Sequence, residues 1–291
     1  MKDYILTLKL KSPIINPITS DHLNGAFLYF LSIKKSDLFD HFYQGFVNDT
    51  PGYLFSSIFP KNYLPINPDF LSERVFFEET KNNKDLKKSL KKINFLPKDF
   101  FSQLIEKKSL ILDQVNKTNL VFKNRRYMVS IKNNNLFYEN LFFYKDNLVD
   151  IYLRVFEDFE IDWLDEFFSY FVGKKISSGF ANFSLVDVLE INLPQSSKYF
   201  LNLSAFVPKK EENQKYQSLN YSFFVKYPKL GIKIGRKNPF KKKIILVKEG
   251  SVFKLIIDEK NDYFGKILTN LSAVNDKIIQ ITLTIPYYFD L

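Results

Sequence analysis

The sequence contains no cysteine and only two histidines, His22 and His41. Disulfides need paired cysteines, and zinc sites draw mostly on thiolates and imidazoles. Disulfide bonding and thiol catalysis are therefore excluded, and a histidine-rich metal site is disfavoured. We expect a cytoplasmic protein that uses no cofactor.

Long hydrophobic runs are also missing. No apolar stretch approaches the ~18 residues that a membrane-spanning helix needs. The N-terminus, MKDYILTLKLKS, alternates apolar and polar side chains, which predicts a β-strand and not a signal peptide. We therefore expect no membrane partner.

Basic charge, in contrast, is in excess and is clustered. The 291 residues carry a net charge of +10. Residues 81–92 contain six lysines and one acid, and residues 226–248 contain nine basic residues and no acid. Clustered positive charge is typical of proteins that bind polyanions, so the sequence predicts a nucleic-acid partner.

The periodicity of the first half predicts strands and helices in alternation. The first strand places Tyr4, Leu6, Leu8 and Leu10 on one face and Asp3, Thr7, Lys9 and Lys11 on the other. A helix is predicted from the N-cap Ser20 to about Ile33, with Asp21 in its positively polarised first turn. Residues 45–75 are predicted to be loops, residues 119–156 several strands, and residues 161–173 a helix that leads through a loop to a strand.

This order of elements predicts an α+β protein. Residues 1–193 are expected to form a ferredoxin-like domain with an insertion at about 60–150 and a glycine loop at 173–179. Residues 194–291 are expected to form a second domain that is rich in strands.

Two basic segments are candidate phosphate-binding elements. In the first, Gly173 and Gly179 bracket two lysines and two serines; glycine lets backbone N–H groups approach a phosphate, and serine hydroxyls can bond phosphate or 2′-OH groups. The second, GIKIGRKNPFKKK, carries only basic charge. An ordinary surface turn and a solvated lysine loop remain the alternatives. The residues concerned are Lys174, Lys175, Ser177, Ser178, Lys233, Arg236, Lys237, Lys241, Lys242 and Lys243.

No constellation of residues predicts catalysis. Metal-free RNA cleavage usually needs a general base, most often histidine. His22, in the first turn of the first helix, and His41 are the candidates, but the sequence favours a solvent-facing helix residue for His22, and the case for His41 is similarly weak.

Several segments, taken in order along nearly the whole chain, resemble RAMP proteins, the RNA-binding subunits of CRISPR effectors. PITSDHLNGAF (17–27) resembles their helix start, and VGKKISSGFANFSL (172–185) resembles their glycine-rich loop. YFLNLSAFVPKKEE (199–212) and PKLGIKIGRKNPFKKKIILVKEGSVF (228–253) are similar to segments of the 5′-handle-binding subunit of type III-A (Csm) complexes, the fourth Csm subunit, in the Cas-five group. The chain departs from that pattern in the glycine loop, at His22 and at its C-terminus.

The resemblance implies two ferredoxin-like (RRM-like) units that bind the 5′ handle of the crRNA. It also implies docking onto the large polymerase-cyclase subunit and the backbone RAMP subunit, indirect contact with target RNA, and no catalytic centre. The alternatives are a metal-independent crRNA-processing endoribonuclease that uses His22 or His41, and a scaffold without RNA contact. The residues expected to contact RNA are Ser20, Asp21, His22, Gly173, Lys174, Lys175, Ser177, Ser178, Gly179, Phe180, Lys233, Arg236, Lys237, Lys241, Lys242, Lys243, Arg125, Arg126, Lys87, Lys88, Lys91 and Lys92.

Overall fold

The computed structural model describes residues 1–75, 88–106, 121–129, 136–173, 180–230, 240–256, 261–273 and 275–291. Strands and helices alternate in the first half. The strands are β1 Lys2–Leu10, β2 Tyr53–Phe55, β3 Phe59–Pro60, β4 Tyr63–Pro65, β5 Phe95–Pro97, β6 Val121–Val129, β7 Leu136–Tyr144, β8 Leu148–Val155 and β9 Phe183–Ile191. The helices are α1 Ser20–Lys34, α2 Ser36–Val47, α3 Pro68–Val75, α4 Lys98–Ile105 and α5 Trp163–Tyr170.

One antiparallel sheet organises the first half. Its strands lie in the order β2-β8-β1-β9, and β3 also pairs with β8. The chain visits them as β1–α1–β2, then β8–α5–β9, which is a β–α–β–β–α–β connectivity with a long insertion between β2 and β8. Within the insertion, β6 and β7 form a hairpin of nine residue pairs.

The predicted alternation of β1 is present, and Lys9 and Lys11 on its polar face are exposed, but the Asp3 and Thr7 part of that face is not open to water. Asp3 and Thr7 are only 3% and 5% exposed. Arg154 of β8 donates two hydrogen bonds to the Asp3 carboxylate, at 2.6 and 3.0 Å, and a third, at 2.6 Å, to the carbonyl oxygen of Asp262. Because Asp262 belongs to the second half, that half covers this face of the sheet, and a buried ion pair replaces the solvent.

The loop prediction for residues 45–75 is wrong in part. Helix α2 continues to Val47, three short strands follow, and α3 occupies Pro68–Val75. Strand β2 is buried at every residue, so it lacks the alternation that reveals a half-exposed strand. The strands expected between 119 and 156 are present as β6, β7 and β8, and a further helix, α4, begins at Lys98.

The second half is built from strands, as predicted. They are β10 Tyr199–Asn202, β11 Tyr216–Asn220, β12 Phe223–Lys226, β13 Ile244–Val247, β14 Val252–Leu255, β15 Phe264–Leu268, β16 Gln280–Thr284 and β17 Pro286–Phe289. A four-stranded sheet has the order β11-β14-β10-β17, while β12 pairs with β13 and β15 with β16. Within the described part of residues 194–291, helical structure is limited to a 3₁₀ turn at Glu211–Gln214.

The two halves share a hydrophobic core. The main cluster joins Leu6, Phe27 and Phe167 of the first half to Leu203 and Leu283 of the second. Association of the halves therefore buries apolar surface that each would otherwise expose. No helix within the described ranges is both long and apolar enough to cross a membrane.

Candidate nucleic-acid interface

The start of helix α1 is buried and held by contacts with other segments of the chain. Thr19, in extended conformation, is the N-cap, one residue before the predicted Ser20. Ser20 is 1% exposed, and its backbone N–H donates to Ser57 Oγ at 3.1 Å. The next residue, Asp21, is 3% exposed. Both side chains therefore lie inside the protein, and the prediction that they contact RNA is corrected: they fix the helix start.

Asp21 is the centre of a charged cluster that links the two halves. Lys226 Nζ donates to both carboxylate oxygens of Asp21 at 2.7 Å, and Thr19 Oγ1 donates to one of them at 2.6 Å. Gln280 Nε2 donates to the same carboxylate at 2.6 Å. Burial raises the pKa of Asp21, but the charge and hydrogen bonds of Lys226 and the bond from Thr19 outweigh it, so the pKa lies below its usual value.

Lys241 extends this cluster toward the second basic segment. Its Nζ donates to Gln280 Oε1 at 2.8 Å, so it reaches Asp21 through one amide side chain. Burial lowers the pKa of Lys241 to about 8; Lys226 lowers it further, and Asp21 raises it. The structure thus brings the start of α1 and the second basic segment together, although they are more than 200 residues apart in sequence.

The next two lysines differ from Lys241. Lys242 and Lys243 are exposed, and they directly precede β13. Strands β12 and β13 pair antiparallel, and beyond them Lys229 bridges to Phe240. The exposed lysines therefore lie on the stem of a hairpin arm built on β12 and β13; residues 231–239 lie outside the described residues.

The base of the glycine loop is attached to the segment that leads from β1 into α1. Ala181 N–H donates to the Pro13 carbonyl oxygen at 3.0 Å, and Asn182 N–H donates to Ser12 Oγ at 3.0 Å. Gly173 has φ +109°, and a Cβ there would collide with the Ala181 side chain. Glycine at position 173 is thus required by backbone conformation and close packing, which differs from the predicted role in approaching phosphate.

Phe180, predicted to contact RNA, is a core residue. It is 4% exposed and packs in a small cluster with Ile15 and Leu141. Its ring packs against the segment between β1 and α1 and against β7, so it does not offer a face to a base.

Several predicted RNA contacts lie outside the described residues. They are Lys87, Lys174, Lys175, Ser177, Ser178, Gly179, Lys233, Arg236 and Lys237. Arg125 and Arg126 lie on β6, where their backbones pair with Asn140 and Glu139 of β7.

The described lysines of the insertion occupy another part of the surface. Lys88, Lys91 and Lys92 are exposed. Lys91 lines a cleft of about 540 Å³ together with Asp69 and Glu73. Carboxylates therefore offset its charge locally, which distinguishes it from the acid-free segment at 226–248.

The two histidines lie on different helices. His22 is exposed in the first turn of α1. His41, on α2, lies 2.9 Å from Glu157 Oε1 through Nε2, and both side chains are exposed. Within the described residues, no group of three or more His, Asp or Glu side chains could hold a metal ion.

Sequence reasoning missed the residues that organise this region: Thr19, Lys226 and Gln280. In the sequence, Gln280 lies in the strand-rich region and Lys226 at the start of a basic run, so neither stands out as a buried partner. An isolated lysine on an otherwise apolar strand was the available signal for Lys226, because such a residue needs a buried partner when it points inward.

Comparison with solved structures identifies the fold of this chain. No family model matches the sequence, and neither does any curated protein. A chain in the crystal structure of a Csm1-Csm4 cassette in complex with cA4 aligns with a TM-score of 0.65 at 16% identity, over 98% of this chain and 97% of that one. A chain in the crystal structure of a Csm3-Csm4 subcomplex of the type III-A CRISPR-Cas interference complex aligns with a TM-score of 0.59 at 15% identity, over the full length of both.

These two crystal structures have one component in common, Csm4. A match over essentially the whole length of both chains means that the order of elements in the two halves is shared as well as the local sheets. The chain therefore has a Csm4-like fold, of mixed helix and sheet, as found in type III-A CRISPR-Cas complexes.

Proposed function

We propose that this chain is a non-catalytic RNA-binding subunit of a type III-A CRISPR ribonucleoprotein that acts in antiviral defence. It holds the 5′ handle of the crRNA, docks the large polymerase-cyclase subunit, and joins that subunit to the filament of backbone RAMP subunits. The observation that carries the proposal is the full-length likeness to the component common to the Csm1-Csm4 and Csm3-Csm4 structures.

The architecture is consistent with two units of the RAMP type. The β–α–β–β–α–β connectivity and the strand order β2-β8-β1-β9 are those of a ferredoxin-like unit, here residues 1–193 with an insertion. We assign residues 194–291 to a second unit in which strands predominate. The shared core and the Asp21 cluster hold the two units in a fixed relation.

The RNA grip is formed where the two units meet. His22 at the start of α1, the glycine loop at 173–179 and the basic hairpin arm face the sugar-phosphate backbone in this proposal. Lys229, Lys242 and Lys243 are exposed lysines in the described part of the arm, and Asp21 with Lys226 supports the grip from within. Arg125, Arg126 and the lysines of the insertion are assigned to RNA or a neighbouring subunit.

Co-purification from the native host tests the proposal. A tagged chain is expected to bring guide RNAs with a common 5′ segment, together with a large subunit and a backbone subunit. Recovery of those proteins without RNA, after nuclease-free preparation, would leave only the scaffold function.

The endoribonuclease alternative has its own test. Purified chain is incubated with repeat RNA in EDTA, and we expect no cleavage. Cleavage that disappears in His22→Ala or His41→Ala would establish the enzyme and contradict the non-catalytic assignment.

A further inference from the structure

The segment from Leu219 to Leu230 has an inverted distribution of side chains. Exposed and less exposed residues alternate strictly along its whole length. The outward side chains of its apolar stretch are Leu219, Tyr221, Phe223, Val225 and Tyr227, with exposed fractions of 40%, 52%, 64%, 48% and 67%. The solvated face of an antiparallel strand is normally polar, so this outward apolar face is one that another molecule covers.

The contacts of the inward side chains fix which residues of the segment point outward. Asn220 Nδ2 donates to Glu73 Oε1 at 3.0 Å, and Lys226 Nζ is bonded to Asp21. Phe224 packs beside Leu246 and Ile244 of β13. Because side chains alternate with a period of two, these inward contacts fix the aromatic residues on the outside.

Strand β13 extends the same surface. Val225 pairs with Ile245, which is 61% exposed, so both lie on the outward face. Lys242 and Lys243 are exposed where β13 begins, and Lys229 Nζ lies 5.0 Å from the centre of the Phe240 ring. Aromatic rings and lysines thus follow each other along one side of the hairpin.

Charge decides between the possible occupants. Lys226 and Lys241 are bonded inward, but Lys229, Lys242 and Lys243 are exposed beside this face, and residues 219–248 contain no acid. A protein partner would have to present an apolar surface rimmed by carboxylates, whereas single-stranded RNA supplies flat apolar bases and phosphates in one molecule.

We propose that the outward face of β12–β13 is a base-stacking platform for single-stranded RNA. Bases stack on Phe223 and on the adjoining Tyr227, and the phosphates of the same strand lie toward Lys242 and Lys243. The inference rests on the proposed function and deepens it, since it adds a site for bases to a grip made of phosphate contacts.

Two probes separate stacking from phosphate binding: oligoadenylate, and an abasic RNA of the same length. Wild-type chain is expected to bind oligoadenylate at least about tenfold more tightly, which corresponds to one stacked base. In Phe223→Leu and Tyr227→Leu, the preference for oligoadenylate over the abasic RNA shrinks severalfold. The affinity for the abasic RNA stays unchanged, because Lys242 and Lys243 are still present. Leucine keeps the surface apolar, and an unchanged melting temperature of the variants confirms that they fold. Tyr29→Leu, which removes an exposed tyrosine ring on α1, serves as the matched control.

The failures are distinguishable. Equal wild-type affinity for the two probes, or a preference that survives both leucine variants, overturns the stacking platform and leaves the phosphate grip standing. Absence of binding to either probe overturns the platform and RNA binding together. Capture of the large or the backbone subunit that is lost in Phe223→Ala, without any preference for bases, identifies the face as a protein-docking surface and overturns the proposal.

Discussion

The inward and outward lysines of the β12–β13 hairpin carry the same charge in different surroundings. Lys226 and Lys241 point toward α1, where Asp21 and Gln280 accept their hydrogen bonds. Lys242 and Lys243 are exposed a residue or two further along the chain. A cluster of lysines in the sequence therefore overstates the charge that a ligand can reach, because part of it is neutralised inside the protein.

The largest effect is expected for an inward lysine. Lys226→Met leaves the Asp21 carboxylate buried without its cation, which should lower the free energy of unfolding by about 3 kcal/mol at neutral pH. Urea denaturation measures this, with Lys243→Met as the matched outward control, for which a change within about 0.5 kcal/mol is expected.

In Lys226→Met, the contribution of Asp21 to the free energy of unfolding should depend on pH in the opposite sense to that in the wild type. In the wild type the folded-state pKa of Asp21 lies below its ordinary value, so its contribution is present above the unfolded pKa and is lost as pH falls through the folded pKa. Without Lys226, burial dominates and raises that pKa, so the variant gains stability as the carboxylate protonates. The difference in the free energy of unfolding between the wild type and Lys226→Met should narrow as pH falls toward about 4. A difference that stays constant with pH would contradict the Asp21–Lys226 ion pair.

Replacing the exposed pair Lys242 and Lys243 should weaken RNA binding without changing the free energy of unfolding. In the double variant Lys242→Gln, Lys243→Gln, the slope of log association constant against log salt should become shallower by about 1.4, or about 0.7 for each lost phosphate contact with a single strand. Filter binding of single-stranded RNA measures the slope, and an unchanged slope would remove these lysines from the grip.

The effect of Lys241 is confined to alkaline pH. Its folded-state pKa, about 8, is below the ordinary lysine value, so the unfolded chain binds more protons above that pH and stability should rise between pH 8 and pH 10. The rise should be smaller in Lys241→Met. An identical pH profile in the two proteins would show that the Lys241 ammonium is fully solvated.

Local patterns predicted the elements that local physics controls. The alternation in β1 and the apolar stripes of α1 and α5 gave strands and helices close to their observed bounds. They could not show that the second half covers the Asp3 side of the sheet or that Phe180 closes the loop base, because both depend on contacts with segments distant in sequence. Likewise, β2 is buried at every residue, so its sequence lacks the alternation of polar and apolar residues that would predict a strand.

Two of the segments predicted to bind RNA lie side by side, whereas the position of their individual side chains could not be predicted. The start of α1 and the basic segment do converge, yet the sequence could not separate Lys241 from Lys242, since burial depends on where β13 meets Gln280. The outward aromatic residues were hidden in a composition with 32 phenylalanines and 17 tyrosines, most of them needed for the core.

The most direct test of RNA binding is the salt dependence of the affinity of the full-length chain for the 5′ segment of its host's guide RNAs. The account predicts that the logarithm of the association constant falls linearly with the logarithm of salt concentration, with a slope of several units. A flat response, or no binding at low salt, would contradict it.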